Sequence, residues 1–320
     1  MFVLKYLQQY LILTLCESWF KVIKNLKNTA KIIKLARNAG FCYGVKRAVD
    51  TTKKLKLNNK TVKVSVLGEL IHNSHVICEL ENMDINTINS IPKKGEGVCI
   101  IRSHGEPEDV FDCIKNAGYE LVDLTCFDVK KVQSKAIELA KSDYFVVILG
   151  KKEHPEVMAI SANAKKYATN PDNIFVAKNL EALIGKENKI KQAKKVGVVL
   201  QTTQTKEFLN EVIDYLSKIC KVLTVQNTIC PSTTLRQNEA KKLAEESELM
   251  IVVGSKKSAN TTHLAELLVQ ITKTIHIENQ DELDKYSDLI KKTSKIGVTA
   301  GASTPDDIIN NVMKKLEQYN

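Results

Sequence analysis

VSVLGELIHN (64–73), FVVILGKKEHPE (145–156) and LMIVVGSKKSAN (249–260) are three versions of one pattern: a short, continuous apolar run, a small residue, then a polar cluster. Each is preceded by a cysteine (Cys42, Cys126, Cys230) and a helix-like stretch, and each is followed by a second apolar run. Those second runs begin Gly-Val and end in a polar turn: GVCIIRSHG (97–105), GVVLQTTQT (197–205) and GVTAGASTP (297–305). The spacing repeats as well. From Cys42 to His72 is 30 residues, from Cys126 to His154 is 28, and from Cys230 to Asn260 is 30. Repeats of roughly 100 residues are too long for solenoid units, and each is large enough for a small domain. Continuous apolar runs separated by helical text predict parallel strands covered by helices on both faces. One such helix is predicted over 232–248, with Thr234…Gln237 as a capping box.

The expected fold is therefore α/β, with three pseudo-symmetric modules and mostly parallel sheets. The expected division is an N-terminal extension (1–30), a first module (31–126), a second (127–227) and a third that includes the C-terminal segment (228–320). In open parallel sheets, ligands bind beyond the carboxyl ends of the strands. Every polar cluster quoted above falls at such an end, so modules that face one another would gather the clusters around one central cavity.

Bulk properties narrow the function. Hydrophobic residues make up 43% and charged residues 26% of the 320, the balance of a globular protein. The net charge of +10 fits nucleic acid, an anionic membrane surface or an anionic small substrate. The densest basic runs, Lys24–Lys34 and Lys186–Lys195, contain no interleaved aromatics of the kind that stack on bases, so no nucleic-acid partner is expected. Residues 1–16, MFVLKYLQQYLILTLC, are apolar. They are too short to span a bilayer and lack a small-residue cleavage site. They read as an added amphipathic segment or a start codon placed too early, with a membrane-touching helix as the alternative. A cytoplasmic protein without stable membrane insertion is expected.

Eight cysteines occur and none forms a CxxC. Cys16, Cys78, Cys99, Cys113 and Cys220 sit in apolar or helical text and read as small buried hydrophobes. Cys42, Cys126 and Cys230 share a repeat position and point at one place. Three thiolates can bind zinc with a fourth ligand, or hold a [4Fe–4S] cluster by three of its irons. Around them lie His72, His104 and His154 with Thr202, Ser258, Asn260 and Ser303. That set has no carboxylate pair for a metal and suits an anion, because imidazolium, hydroxyl and helix N-terminal N–H groups hold phosphate oxygens. Glu156 follows Pro155 at a predicted helix start. There an acid can serve simple helix-end electrostatics, but beside an anion site and a redox metal it is the best proton donor present. His75, His263 and His276 fit no repeat position.

Taken in order, GFCYGVKRA (40–48), LGELIHN (67–73), RSHG (102–105), DLTCFDV (123–129), HPEV (154–157), QTT (201–203), NTIC (227–230), RQ (236–237) and GVTAGASTP (297–305) closely resemble the LytB family of 4-hydroxy-3-methylbut-2-enyl diphosphate reductases over about residues 36–318. The resemblance implies three α/β modules around a central [4Fe–4S] cluster, one per subunit, bound by Cys42, Cys126 and Cys230 with one iron free of protein ligands. It implies reductive removal of the substrate's 4-hydroxyl, giving isopentenyl and dimethylallyl diphosphates. His72, His104, Ser258, Asn260 and Ser303 would bind the diphosphate with His154 beside them, and Glu156, helped by Thr202, would deliver protons. Electrons would come from an external donor such as ferredoxin or flavodoxin, since no flavin or nicotinamide fingerprint occurs in the chain. The text departs from the family's usual residues at Phe127 (proline), Gln133 (His), Ala159 (Gly), Lys257 (Asn) and Ala259 (Ser). Loss of the serine hydroxyl at 259 is expected to weaken the diphosphate grip, with the Lys257 charge as the compensation.

Two other classes remain open at this point: a zinc protein with three cysteine ligands, and a non-catalytic diphosphate-binding module. The family match begins near Ala36, so deletion of residues 1–30 is expected to leave an active enzyme. Iron content and turnover of the truncated chain check this, and a truncated protein that aggregates or loses iron would make the segment structural.

Overall fold

The computed structural model describes residues 31–319. In chain order its strands are β1 (Ile32–Leu35), β2 (Val64–Leu67), β3 (Ile85–Ile88), β4 (Val98–Ile101), β5 (Glu120–Asp123), β6 (Phe145–Leu149), β7 (Ile174–Ala177), β8 (Val196–Leu200), β9 (Leu223–Val225), β10 (Leu249–Val253), β11 (Lys273–Ile277) and β12 (Lys295–Ala300). They form three four-stranded sheets, ordered β3–β2–β4–β5, β7–β6–β8–β9 and β1–β12–β10–β11, and every pairing is parallel. The three expected α/β modules are present.

One strand lies outside its expected module. In the first two sheets the fourth strand is the one that leads into the next cysteine: β5 runs toward Cys126 and β9 toward Cys230. Among the described residues the third sheet has no such strand downstream of it. Its place is filled by β1, which leads into Cys42 and pairs with β12 in the register Ile32↔Lys295. The third module is thus completed by the start of the described chain, and residues 32–35 belong to it and not to the first module. The pattern of IIKL specifies a strand but carries no information about its neighbour; closure of the three modules on one another selects it.

The cysteine positions follow from local geometry. Cys42, Cys126 and Cys230 are the N-caps of the helices Tyr43–Asn58, Phe127–Lys141 and Pro231–Glu245, all with extended backbone angles and none with a side-chain capping bond. Each cysteine N–H donates to the polar turn at the end of a strand: Cys42 to Ala302 O after β12 (3.2 Å), Cys126 to Ser103 O after β4 (3.0 Å) and Cys230 to Thr202 O after β8 (2.9 Å). The same bond, repeated three times, fixes the thiols beside the strand ends. The capping box expected at Thr234 is absent. Pro231, suited to the first helical position, starts that helix earlier, and Thr234 N–H instead donates to Cys230 O at 3.1 Å.

Burial explains the continuous apolar runs. In β6, Phe145, Val147 and Leu149 join one cluster, while Val146 and Ile148 join another on the opposite face. In β10, Leu249, Ile251 and Val253 likewise oppose Met250 and Val252. Both faces are covered, so the period-2 signal is masked. Each such side chain contributes about 1.5–3 kcal/mol of burial.

The expectation of buried spare cysteines holds for Cys99 and is corrected for Cys78 and Cys113, which are exposed; Cys220 is half-buried. Cys78 and Cys113 lie on amphipathic helices whose inner faces are filled by Val76 and Leu80, and by Ile114. Cys16 and the readings made of residues 1–30 lie outside the described residues. Among the described residues, no helix is long and apolar enough to cross a membrane.

Candidate active site

The strand ends converge on one cavity lined from all three modules. The three repeat cysteines border it, together with His72, His104, His154, Glu156, Thr202, Ser258, Asn260 and Ser303, so the expected cluster, diphosphate and proton-transfer residues are brought to one place. Among the described residues all seven cysteines are free.

The helix starts supply the chemistry of the walls. His154 caps the helix Pro155–Tyr167, and its Nδ1 accepts from Glu156 N–H at 3.2 Å. A neutral imidazole that accepts at Nδ1 carries its proton on Nε2. The cap therefore leaves His154 with a donor. His72 Nδ1 lies 3.1 Å from Glu69 Oε2, which orients the ring. His104 follows β4, where Gly105 takes a left-handed φ of 74° that few other residues adopt, and turns the chain away behind it.

The three imidazoles form one cluster. His72 and His104 stack with centroids 4.5 Å apart, and His154 meets them edge-on at 5.7 and 5.4 Å. Their ligand atoms lie within 4.8 Å of one another, a spacing that also suits a metal ion. The tautomer of His154 favours an anion: to ligate a metal through Nε2 it would have to give up the cap bond. Burial, then repulsion from His72, lowers the His154 pKa to about 3 and holds His104 well below the usual range. His104 and His154 are therefore held neutral, and an anion with several negative charges would draw protons onto them. His104 Nδ1, Asn260 Nδ2 and Thr203 Oγ1 are buried and have no hydrogen-bond partner among the described residues, which leaves them for a ligand.

Glu156 is only 2% exposed. Its carboxylate accepts from Thr202 N–H at 2.6 Å and from Thr202 Oγ1 at 2.9 Å. Burial raises its pKa to about 7, against the opposing pull of the two Thr202 bonds. At neutral pH it therefore exists in both forms, the condition for a general acid. Helix-end electrostatics alone would leave an ionised, solvated carboxylate.

Two residues that sequence reasoning missed join the thiols. Asp128 Oδ2 accepts from Tyr43 Oη at 2.6 Å and from Cys230 Sγ at 2.9 Å. Burial and this carboxylate push the Cys230 thiol up to about 12, and burial raises Cys126. The Cys126 and Cys230 thiols are thus protonated, and a metal must displace those protons. The signal for Asp128 was its place two residues after Cys126, but its partners come from the other two modules. Asn73, in the LGELIHN stretch, donates from Nδ2 to Ser303 O at 2.8 Å and joins the first module to the third.

The departures at 259 and 257 lie on different sides of one helix start. Ala259 is the buried first residue of the helix Ala259–Val269, so this end keeps its backbone donor without a hydroxyl. Lys257 is exposed and does not line the cavity, because the turn before that helix carries it outward; it does not stand in for the missing serine.

Gly44 lies against the thiols. A Cβ there would sit 2.6 Å from Cys126 Sγ and 4.0 Å from Cys42 Sγ. Gly44→Ala is expected to displace the Cys126 thiol and lower bound iron to well under half, although alanine is the better helix former. Iron analysis with thermal unfolding of the metal-free form checks this; full iron retention would show that the thiols tolerate the methyl.

The LytB protein family profile matches residues 33–317. A 4-hydroxy-3-methylbut-2-enyl diphosphate reductase of Clostridium tetani is 40% identical over 291 residues, covering 89% of this chain and 44% of that longer protein. The reductase of the same name from Aquifex aeolicus is 38% identical over 285 residues, covering 89% of this chain and 95% of that one. A solved structure of (E)-4-hydroxy-3-methyl-but-2-enyl diphosphate reductase, described as the terminal enzyme of the non-mevalonate pathway, aligns with a TM-score of 0.67 at 35% identity, covering 90% of this chain and 99% of that one.

Proposed function

The chain belongs to the LytB protein family, and from that premise we propose that its central cavity reduces 4-hydroxy-3-methylbut-2-enyl diphosphate to isopentenyl and dimethylallyl diphosphates. The observation that carries this reading is the meeting, in one cavity, of three cysteine-capped helix starts, a cluster of three imidazoles and a buried glutamic acid near its titration point. Reduction of the allylic alcohol takes two electrons and two protons. The C4–O bond breaks, the oxygen leaves as water with one proton, and the other proton ends on the allyl carbon skeleton.

The donor set fits a [4Fe–4S] cluster held by Cys42, Cys126 and Cys230: three free thiols at helix N-termini, with a glycine where a methyl would press on them. When bound, the cluster supplies the electrons and a Lewis-acidic iron. The protein's own residues do the rest. His72 and His104, with Ser258, Asn260 and Ser303, grip the diphosphate, and His154 donates from Nε2 beside them. The start of the helix Ala259–Val269 adds backbone donors. Glu156 holds a proton on its carboxyl, and Thr202 orients that carboxyl by two hydrogen bonds. Protonation turns the hydroxyl, a poor leaving group, into water. The electrons enter from an external carrier of the ferredoxin or flavodoxin kind. The seven cysteines of the described residues, all free, suit a reducing compartment, as the cytoplasm is.

The deciding experiment is anaerobic purification with iron and sulfide analysis, followed by reduction of the named diphosphate with a chemical reductant. A brown protein that converts the substrate is expected. A colourless zinc protein, or a brown one without turnover, would end this reading in favour of a hydrolytic or a merely diphosphate-binding module.

A further inference from the structure

Two of the three cysteine helices open with near-copies of one six-residue pattern, CYGVKR (42–47) and CFDVKK (126–131). An aromatic follows each cysteine, and a pair of cations follows one turn later. Both aromatics are on the surface: Tyr43 is 50% exposed and Phe127 69%. Lys46, Arg47, Lys130 and Lys131 are exposed beside them. The two halves adjoin, because Tyr43 Oη reaches Asp128 at 2.6 Å and lies 3.9 Å from Cys126 Sγ. The patch therefore spans the boundary between the first two modules, next to two thiols. The reaction described above uses neither aromatic and none of the four cations.

The charge on this face is only partly cancelled. Lys46 pairs with Asp50 at 3.2 Å and Lys130 with Asp123 at 2.6 Å. Arg47 donates to the carbonyls of Leu124 and Thr125 and so keeps its full charge. Lys131 pairs with no acid among the described residues and adds a second cation. An exposed aromatic pair rimmed by net positive charge is the composition of a docking site for an acidic protein: the rings supply contact area that can be dried, and the cations steer the encounter.

We propose that this face, centred on Tyr43 and Phe127, docks a small acidic one-electron carrier protein. The proposal rests on the reductive reading above. Electron transfer slows steeply with distance, and this face places a carrier directly over Cys42 and Cys126. Each docking event oxidises one carrier by one electron, so two carriers are consumed for each substrate reduced.

The test uses the anaerobically reconstituted full chain and, as probe, a plant-type [2Fe–2S] ferredoxin. Binding is measured by calorimetry at several salt concentrations. Turnover is measured with ferredoxin and, separately, with dithionite. Lys131→Glu is expected to weaken binding and raise the KM for ferredoxin by ~10-fold or more at low salt, with dithionite-driven turnover unchanged. Phe127→Ser is expected to weaken binding without altering its salt dependence. Wild-type affinity that ignores salt, or variants that bind like wild type, would overturn the proposal. So would a marked gain in affinity on deleting residues 1–30, which would assign the face to the chain's own N-terminal segment. Failure of turnover with dithionite would count against the reductive reading instead, and the binding data would still decide the docking face.

Discussion

Glu156→Gln is expected to retain the cluster and bind the substrate but turn over at least ~10²-fold more slowly, within the ~10²–10⁴-fold range that positioned proton transfer contributes. Gln keeps the size of Glu and can still accept from Thr202. It has no proton to give at neutral pH, and the hydroxyl leaves poorly without one. The pH dependence should follow. With the Glu156 pKa near 7, wild-type kcat falls as pH rises through that value, because the protonated form is the donor. The Gln variant should lose that limb. Stability carries the same sign. The folded pKa lies above the ordinary carboxylate value of 4.5, so this contribution is fully present below about 4.5 and is lost as pH rises through 7. The change is worth roughly 3 kcal/mol on the scale of 1.36 kcal/mol per unit. Glu156→Gln should therefore unfold at a higher temperature than wild type at pH 8 and close to it at pH 4. His72→Asn should mainly raise KM, since its proposed role is to bind the diphosphate. Steady-state kinetics on both variants, after cluster content is checked, separates these roles. A Glu156→Gln enzyme with near-normal kcat would reduce Glu156 to a helix-end charge.

The second large effect concerns the thiols. Cys42→Ser, Cys126→Ser and Cys230→Ser are each expected to abolish cluster retention and with it all measurable turnover. A serine hydroxyl is far harder to deprotonate than a thiol and is a poor ligand for iron held by soft donors. The same change at Cys78, Cys113 or Cys220 should leave the cluster intact. So should Cys99→Ser, but with a stability loss of about 1–3 kcal/mol, because Cys99 is fully buried in β4 and the hydroxyl would need a partner. Iron and sulfide analysis of the seven variants checks the set, and a full cluster in Cys126→Ser would remove it from the ligands.

The cavity was legible because its parts sit at repeat-equivalent places. A cysteine before a helix, a polar cluster after an apolar run and a second cluster after Gly-Val recur three times. Convergence of those segments needs only that like modules pack alike. Asp128, Tyr43 and Gly44 escaped notice for the complementary reason. Their roles depend on atoms from other modules, such as the Cys230 thiol 102 positions from Asp128, and no local pattern encodes such a neighbour. The exposure of Cys78 and Cys113 was missed because a short helix in apolar text does not state which of its faces is turned inward.

The sequence by itself determined the strand and helix types, the threefold repeat and the three cysteines that share a position in it, because these depend on short-range periodicity and spacing. Tertiary structure alone decided that β1 completes the third sheet, that Lys257 points away from the cavity, and that His154 presents Nε2. It also decided that the Glu156 pKa rises to about 7. Each of these depends on which distant groups exclude water or donate a hydrogen bond, and those groups are assembled only when the three modules close on one another.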